Sequence, residues 1–360
     1  MKQRTEPTAD EILAINADNP QMLFPGDAVA AESEFRRLLK TWHPDRCEEP
    51  RATEVTAHLI GLHRLLASQR GANAAAHQGG VVVPWLGPLC IPDPKSRSFE
   101  CADGRNRTFR IRIDRPFELG TMLVGDSFVI FIMRPDCEDL FENGRLAITA
   151  LRYADTVMER EMSKHLPQIV DYFRTTSGDL AIVIAKGADD LPMEDVCRAF
   201  DETLDPRHVA WMLSSLHNVA CYLTYASLSH NAISPSTCFV SPRRHTVSLL
   251  GGWWYSTPHG RRLIALPEWT MRNVPRELVD ARIGNPSIDL SLLRAVGIHL
   301  LGPRGLEKAP AAMRRFLESP VAADALTIYR DWMEKTLRES FGARRFVDLG
   351  LDTDQIYDKR

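Results

Sequence analysis

Residues 43–46 read His43-Pro44-Asp45-Arg46, and the segment just before them carries Arg36, Arg37 and Lys40. These residue types suit recognition rather than bond breaking. Pro44 fixes its own φ and stiffens the loop. Asp45 can accept a charge-assisted hydrogen bond from an arginine of a partner. The basic side chains can meet an acidic surface and steer the encounter. The same charges would also suit a merely solvated helix face, and the tripeptide alone is a weak signal.

Other familiar chemistry is missing from the sequence. There is no Gly-x-x-x-x-Gly-Lys-Ser/Thr phosphate loop and no His-Glu-x-x-His pair. His63, His77, His165, His217, His245, His259 and His299 are scattered without ligand spacing, so no metal and no cofactor is expected. The seven cysteines form no Cys-x-x-Cys pair. An odd, scattered set suggests reduced thiols. Cys90 and Cys101 are moderately close, but no second pair accompanies them for zinc.

The elements that must position the first motif are legible. Asp10 to Ile15 reads as a short amphipathic helix, and Pro25-Gly26-Asp27 as a turn. A helix is expected from about Ala28 to Trp42, with Phe35, Leu38, Leu39 and Trp42 on one face. Pro44 ends it. A third helix is expected over 52–68, its stripe being Val55, Leu59, Leu62 and Leu66. The pair makes an antiparallel hairpin with His43-Pro44-Asp45 in its loop.

That setting resembles the J-domain family over about residues 20–68. Phe35-Arg36-Arg37-Leu38 and Trp42-His43-Pro44-Asp45-Arg46 match the family's helix and loop, with Leu59, Leu62 and Leu66 at its core spacing. His63 stands where a tyrosine is common and Thr56 where a phenylalanine is common, which implies a slightly looser hairpin. The resemblance implies a co-chaperone that stimulates the ATPase of a DnaK-type chaperone. The contact residues would be His43, Pro44, Asp45, Arg36, Arg37, Lys40 and Arg46.

Residues 69–80 are mostly Gly, Ala, Asn and Gln and read as a flexible linker. Strands are expected at 81–83, 109–113, 127–133, 146–151 and 180–185, and a helix at 155–165. From Met193 the pattern is mostly helical, most clearly from Val209 to Leu223. A β-rich half followed by an α-rich half implies two lobes and an α+β class.

Residues 110–342 resemble the protein kinase fold, with degenerate motifs in the right order. Glu118-Leu119-Gly120-Thr121, followed by Gly125, resembles the opening of a glycine-rich loop, with Met122 in place of the middle glycine. Leu146-Ala147-Ile148-Thr149 resembles the strand that ends in the ATP-binding lysine. Pro167-Gln168-Ile169-Val170 matches the turn after the first helix. His230 to Thr237 resembles the catalytic loop, Val247 to Trp253 the strand entering Asp-Phe-Gly, and Leu266-Pro267-Glu268 the Ala-Pro-Glu motif. Asp289 matches the aspartate that opens the large buried helix.

A kinase needs a lysine on the phosphates, an aspartate at the substrate hydroxyl, and an asparagine and an aspartate on magnesium. Thr149, Ala232, Thr237 and Gly251 stand there instead. Scaffold positions His230, Pro235, Glu268 and Asp289 are kept, which is the pattern of a pseudokinase. Lys186, Asp189 and Asp190 could in principle substitute, but they fall in a loop. Trp253-Trp254-Tyr255 reads as core packing or a plug in a vacant cleft, and alternatively as a binding surface.

The expected organisation is a J-domain over 1–70, a linker with leading strands over 71–105, an N-lobe over 106–190, a helical C-lobe over 191–345 and a tail over 346–360. Arg243-Arg244-His245 and Arg261-Arg262 read as solvated turns, and the tail as loosely packed. The net charge is −3, which offers no global field for nucleic acid or an anionic membrane. No apolar run reaches a membrane span, and no signal-peptide core is seen. A cytoplasmic adaptor is expected, with a DnaK-type chaperone and a client protein as partners. The alternatives are a docking scaffold without chaperone coupling and an atypical kinase.

Overall fold

Thr8 caps the first helix, α1 (Ala9–Leu13). Its hydroxyl accepts from the Glu11 N–H while the Glu11 carboxylate accepts from the Thr8 N–H, a reciprocal capping box. The computed structural model describes residues 7–15, 22–24, 28–42, 47, 49–52, 54–56, 58–59, 62–63, 95–343, 345–351 and 356. The chain falls into two units, Met1–Pro88 and Leu89–Arg360.

In the first unit, α2 spans Ala28–Trp42, as the apolar spacing predicts. The described residues of 54–63 are also helical. Ile12, Leu23, Phe24, Ala31, Leu38, Val55, Leu59 and Leu62 form one buried cluster. Phe35, Leu39 and Trp42 are only half-buried, so the stripe is centred on Leu38. The two departures from the family pattern each find a partner. The His63 ring stacks on Phe35 with centroids 4.1 Å apart, and the Thr56 hydroxyl donates to the Trp42 carbonyl at the end of α2. The linker, Leu66 and the expected strand at 81–83 lie outside the described residues.

The second unit mixes sheet and helix, in line with the α+β class. A ribbon of β1 (Lys95–Glu100) and β2 (Asn106–Ile111) precedes a five-stranded antiparallel sheet. The sheet contains β3 (Ile113–Phe117), β4 (Gly120–Val124), β5 (Phe128–Met133), β6 (Ile169–Arg174) and β7 (Leu180–Ala185), in the order β3-β4-β5-β7-β6. In β5 alternate residues point to opposite faces. Val129, Phe131 and Met133 join the main core, while Ile130 and Ile132 join a smaller cluster with Phe99 and Phe109 of the ribbon. Burial on both faces is why this strand reads as one continuous apolar run.

Two sequence expectations are corrected here. Residues 109–113 form no single strand, because β2 ends at Ile111 and β3 begins at Ile113, with Arg112 at the break between them. Leu146 to Leu151 is not a strand. It closes helix α3 (Glu138–Thr149), whose buried residues Phe141, Gly144 and Ile148 follow helical spacing, while Leu146 is exposed. A short apolar run cannot separate helix from strand by itself. The helix expected at 155–165 is α4 (Thr156–Met162), capped by the Asp155 carboxylate.

The remaining strands are short. Leu191–Pro192, Leu228–Ser229, Cys238–Ser241, Thr246–Leu249 and Thr257–Pro258 are β8 to β12. The helical part is built on α6 (Pro206–Tyr225), which follows α5 (Met193–Ala199), and on α9 (Pro286–Lys308). Both long helices start with a side-chain cap and Pro at the first position, Asp205-Pro206 and Asn285-Pro286. Val209, Leu213, Leu216, Ala220 and Leu223 are all buried, as their spacing requires. Between the long helices lie α7 (Glu268–Asn273) and α8 (Arg276–Ala281). After them come α10 (Ala311–Glu318), α11 (Ala325–Asp331) and α12 (Leu337–Phe341). Among the described residues of the tail, some are packed against the rest of the unit. Leu349 and Ile356 are buried, and Phe346 stacks on His245 at 4.1 Å.

Candidate functional site

The segment His230–Thr237 enters the helical part as a buried loop held by one carboxylate. Asp289, in the first turn of α9, accepts from the backbone N–H of His230 and of Asn231, each at 2.8 Å. Burial pushes the Asp289 carboxyl up to about 7, against the lowering effect of those two donors. Asn231 takes a left-handed φ of 65°, and its amide donates to the carbonyls of Ser229 and Tyr255. The Thr270 hydroxyl of α7 donates to the Asn231 carbonyl. One loop is thereby tied to α7, to α9 and to the turn at 253–255.

The His230 ring is fully buried, and burial holds its pKa down at about 3, so it is neutral. Its Nε2 donates to the Gly251 carbonyl at 3.1 Å. Trp253 meets the ring edge-on, with centroids 4.9 Å apart, and donates its indole N–H to the Leu249 carbonyl. Gly252 has a φ of 83°, and a Cβ there would lie 2.8 Å from the His230 ring and 3.0 Å from the Ala232 Cβ. Only glycine fits that position.

No charge stands at the positions matched to catalysis. Ala232 is a buried methyl. The Thr237 hydroxyl donates to the Ala232 carbonyl and accepts from the Ser234 N–H. Gly251 has no side chain, and a Cβ on it would lie 3.0 Å from the Phe131 ring. Thr149 is not beside this loop's chemistry at all. It ends α3, where its hydroxyl donates to the Arg145 carbonyl.

Aromatic rings occupy the space between sheet and loop. Phe131 of β5 packs edge-on to Trp254 at 4.9 Å, and Phe117 of β3 sits 5.5 Å from the same indole. Trp253, Trp254 and Tyr255 are all buried, which fits both core packing and a filled cleft and not an exposed binding surface. Tyr255 donates to Glu118 in the β3–β4 turn. Asn143 of α3 donates to the carbonyls of Trp254 and Ser256, both at 2.9 Å, and Gly144 brings α3 against the Trp254 backbone.

The segment expected to open a glycine-rich loop is a tight turn between two strands. Glu118-Leu119 is a two-residue turn between Phe117 and Gly120, which pair across the hairpin. A Cβ at Gly120 would lie 2.0 Å from the Ile132 carbonyl oxygen, and one at Gly125 would meet the Phe128 ring. These glycines admit close neighbours, and the rings of Phe117, Phe131 and Trp254 lie against one another. Mg-ATP is therefore expected to move the thermal midpoint by less than about 1 °C, since a ligand stabilises only in proportion to its binding. A shift of several degrees in a thermal melt would show that a nucleotide displaces these rings.

The alternative charged residues are committed elsewhere. Lys186 donates to the carbonyls of Asp126 and Gly187, and burial lowers its pKa to about 8. Asp189 accepts from Ser241, and Asp190 accepts from the Gly187 N–H. Arg244 pairs with both aspartates, so it is not the solvated turn residue its loop suggested. His245 stacks on Trp211 at 4.6 Å. Glu268 is exposed and pairs with Arg272 one turn further along α7. Pro235 and Asp289 are buried as scaffold residues should be.

In the first unit, His43, Pro44, Asp45, Arg46 and the side chains of Arg36 and Lys40 lie outside the described residues. Arg37 is exposed on α2 and pairs with Glu34. One grouping escapes sequence reasoning. Cys197, Glu202 and His299 bring a thiol, a carboxylate and an imidazole together. No local spacing reveals it, because the three residues come from different elements. Among the described residues, no helix is long and apolar enough to cross a membrane. No family model matches the chain, and no curated protein matches it either.

Proposed function

We propose that the chain is a chaperone adaptor. Its N-terminal unit acts as a J-domain that stimulates the ATPase of a DnaK-type chaperone. Its second unit is a kinase-like body without phosphotransfer chemistry, and it holds a client or partner protein. The observation that carries the chaperone half is that the described helix α2 reaches Trp42, with His43-Pro44-Asp45 next in the sequence and a further helical segment after it. Arg37 on the exposed side of α2 offers the charge that an acidic partner surface would meet.

The kinase-like half is supported by the Asp289 grip on His230 and Asn231. It is supported again by what stands on the third strand of the sheet. In a kinase that strand carries the phosphate lysine, and the following helix carries its glutamate partner. Here the third strand is β5, Phe128-Val129-Ile130-Phe131-Ile132-Met133, which has no charged residue, and α3 follows it. Phe131 packs edge-on to Trp254 between the sheet and the His230 loop, which supports a cleft filled by side chains. A scaffold kept without its reaction suits binding. Covalent linkage of the two units would raise the local concentration of chaperone at whatever the second unit holds.

The test is single-turnover ATP hydrolysis by a DnaK-type chaperone from the same organism, with wild-type protein and with His43→Gln. Stimulation by wild type that the substitution abolishes is the expected result. No stimulation by wild type would transfer the function to a docking scaffold without chaperone coupling.

A further inference from the structure

The turn after α5 is built in an expensive way. Asp201 and Glu202 are consecutive non-glycine residues with left-handed φ values of 52° and 57°. Each such residue costs on the order of 1 kcal/mol or more and persists only where its surroundings over-determine it. Here they do. The Glu202 N–H donates to the Cys197 carbonyl, and the Leu204 N–H donates to the Leu300 carbonyl of α9. Gly302, itself at φ 60°, breaks α9 just beyond His299, and a Cβ on it would lie 2.3 Å from the Glu202 carbonyl oxygen. The turn is thereby clamped between α5 and the kink of α9.

The clamp brings three donor groups together. The Cys197 sulfur, a Glu202 carboxylate oxygen and a His299 ring nitrogen all lie within 4.8 Å of one another. Four-coordinate zinc, with its ligands at about 2.0–2.3 Å, sets them about 3.3–3.8 Å apart. Closing that gap needs a shift of about 1 Å, which the exposed side chains of Glu202 and His299 can make by rotation. Cys197 is buried and supplies the fixed corner. A cavity of about 500 Å³ opens beside the group, lined by Glu202, Ile298, His299, Gly302, Pro303 and Leu306. It leaves room for water as a fourth ligand.

We propose that Cys197, Glu202 and His299 form a binding site for a zinc-class divalent ion that bridges α5 and α9. The donor set decides the class of ion. A thiolate and an imidazole suit zinc and cobalt, whereas magnesium and calcium prefer oxygen ligands throughout. On binding, the sulfur–metal bond replaces the S–H bond and the proton passes to bulk solvent. The site uses none of the residues around His230 and Asp289, so it stands or falls independently of the adaptor reading.

The test is a cobalt(II) titration of the reduced, metal-free full-length chain, followed by its absorption. One equivalent is expected to produce thiolate-to-cobalt charge transfer in the near ultraviolet and the visible bands of four-coordinate cobalt. Zinc should abolish both at one equivalent, and millimolar magnesium should not. Cys197→Ser should remove the charge-transfer band. His299→Ala, at an exposed position whose ring meets Trp269 edge-on, should weaken binding at least about tenfold, since even outer-shell losses cost about that much, and a circular dichroism spectrum like wild type would show that the fold is kept. Glu202→Gln should weaken it in the same direction. A His299→Ala protein that titrates like wild type, or a charge-transfer band that survives in Cys197→Ser, would overturn the assignment.

Discussion

Asp289→Ala is expected to lower the thermal midpoint of the second unit by roughly 10 °C, more than any surface substitution in the chain. The carboxylate accepts from two buried backbone N–H groups, those of His230 and Asn231. Truncation leaves both without an acceptor, in a loop that also carries a left-handed Asn231. Each stranded buried donor costs about 1–3 kcal/mol. Removing one side of a buried charged contact costs about 3–5 kcal/mol in all. Asp289→Asn keeps one acceptor oxygen and turns an amide toward the other donor, so its midpoint should fall between those of wild type and Asp289→Ala. Circular dichroism melts of the three proteins decide the matter. A midpoint within about 2 °C of wild type for Asp289→Ala would mean that the loop is anchored by α7 and the 253–255 turn rather than by this carboxylate.

The consequence reaches the proposed function. The His230 loop joins α7, α9 and the aromatic turn, and α3 is held to that turn through Asn143. In a working kinase such a junction would position magnesium and the substrate hydroxyl. Here Ala232, Thr237 and Gly251 supply no charge, and the junction ties the sheet and the helices of this unit together. On the proposed reading, a binding body would still depend on residues that in a kinase orient the reaction.

The elements are most legible in the sequence where burial imposes one period. The stripe of α6 and the apolar run of β5 both follow from packing on known faces. The core of the first unit follows from Leu38, Val55, Leu59 and Leu62 in the same way. Legibility fails where a short apolar run has two solutions. Leu146-Ala147-Ile148 is equally compatible with strand and helix, and Phe141, seven residues before Ile148, is the sign that favours the helix. Taking the run as a strand displaces the lysine position onto Thr149. Charged loop residues are also hard to place, because sequence cannot show that Arg244 meets Asp189 and Asp190 across the fold. The Asp289 contact is legible only through the kinase resemblance. The grouping of Cys197, Glu202 and His299 depends on the kink at Gly302 and has no one-dimensional signature.

His217→Leu is expected to stabilise the second unit at neutral pH and to do so increasingly in acid. His217 is buried in α6 among Phe316, Tyr329 and Trp332, and neither ring nitrogen has a hydrogen-bond partner among the described residues. Replacing an unpaired buried polar group by an apolar one of similar volume removes a penalty of about 1–3 kcal/mol. Burial, with a smaller push from the nearby Arg294 cation, lowers the His217 pKa to about 3. The unfolded chain takes up a proton near pH ~6.5, and the folded chain refuses it until about pH 3. Protons then favour the unfolded state throughout that window, so wild-type stability drains away as pH falls through it. The slope is about 1.4 kcal/mol per pH unit for each such group. His230 contributes in the same direction, while Asp289, whose pKa is raised, opposes it below about pH 7. Comparing variant with wild type cancels both. The advantage of His217→Leu should therefore grow by about 3 kcal/mol between about pH 7.5 and about pH 4.5, or roughly 6–12 °C in midpoint. Urea unfolding at the two pH values measures it. An advantage that stays constant with pH would mean that folded His217 takes up a proton as readily as it does in the unfolded chain.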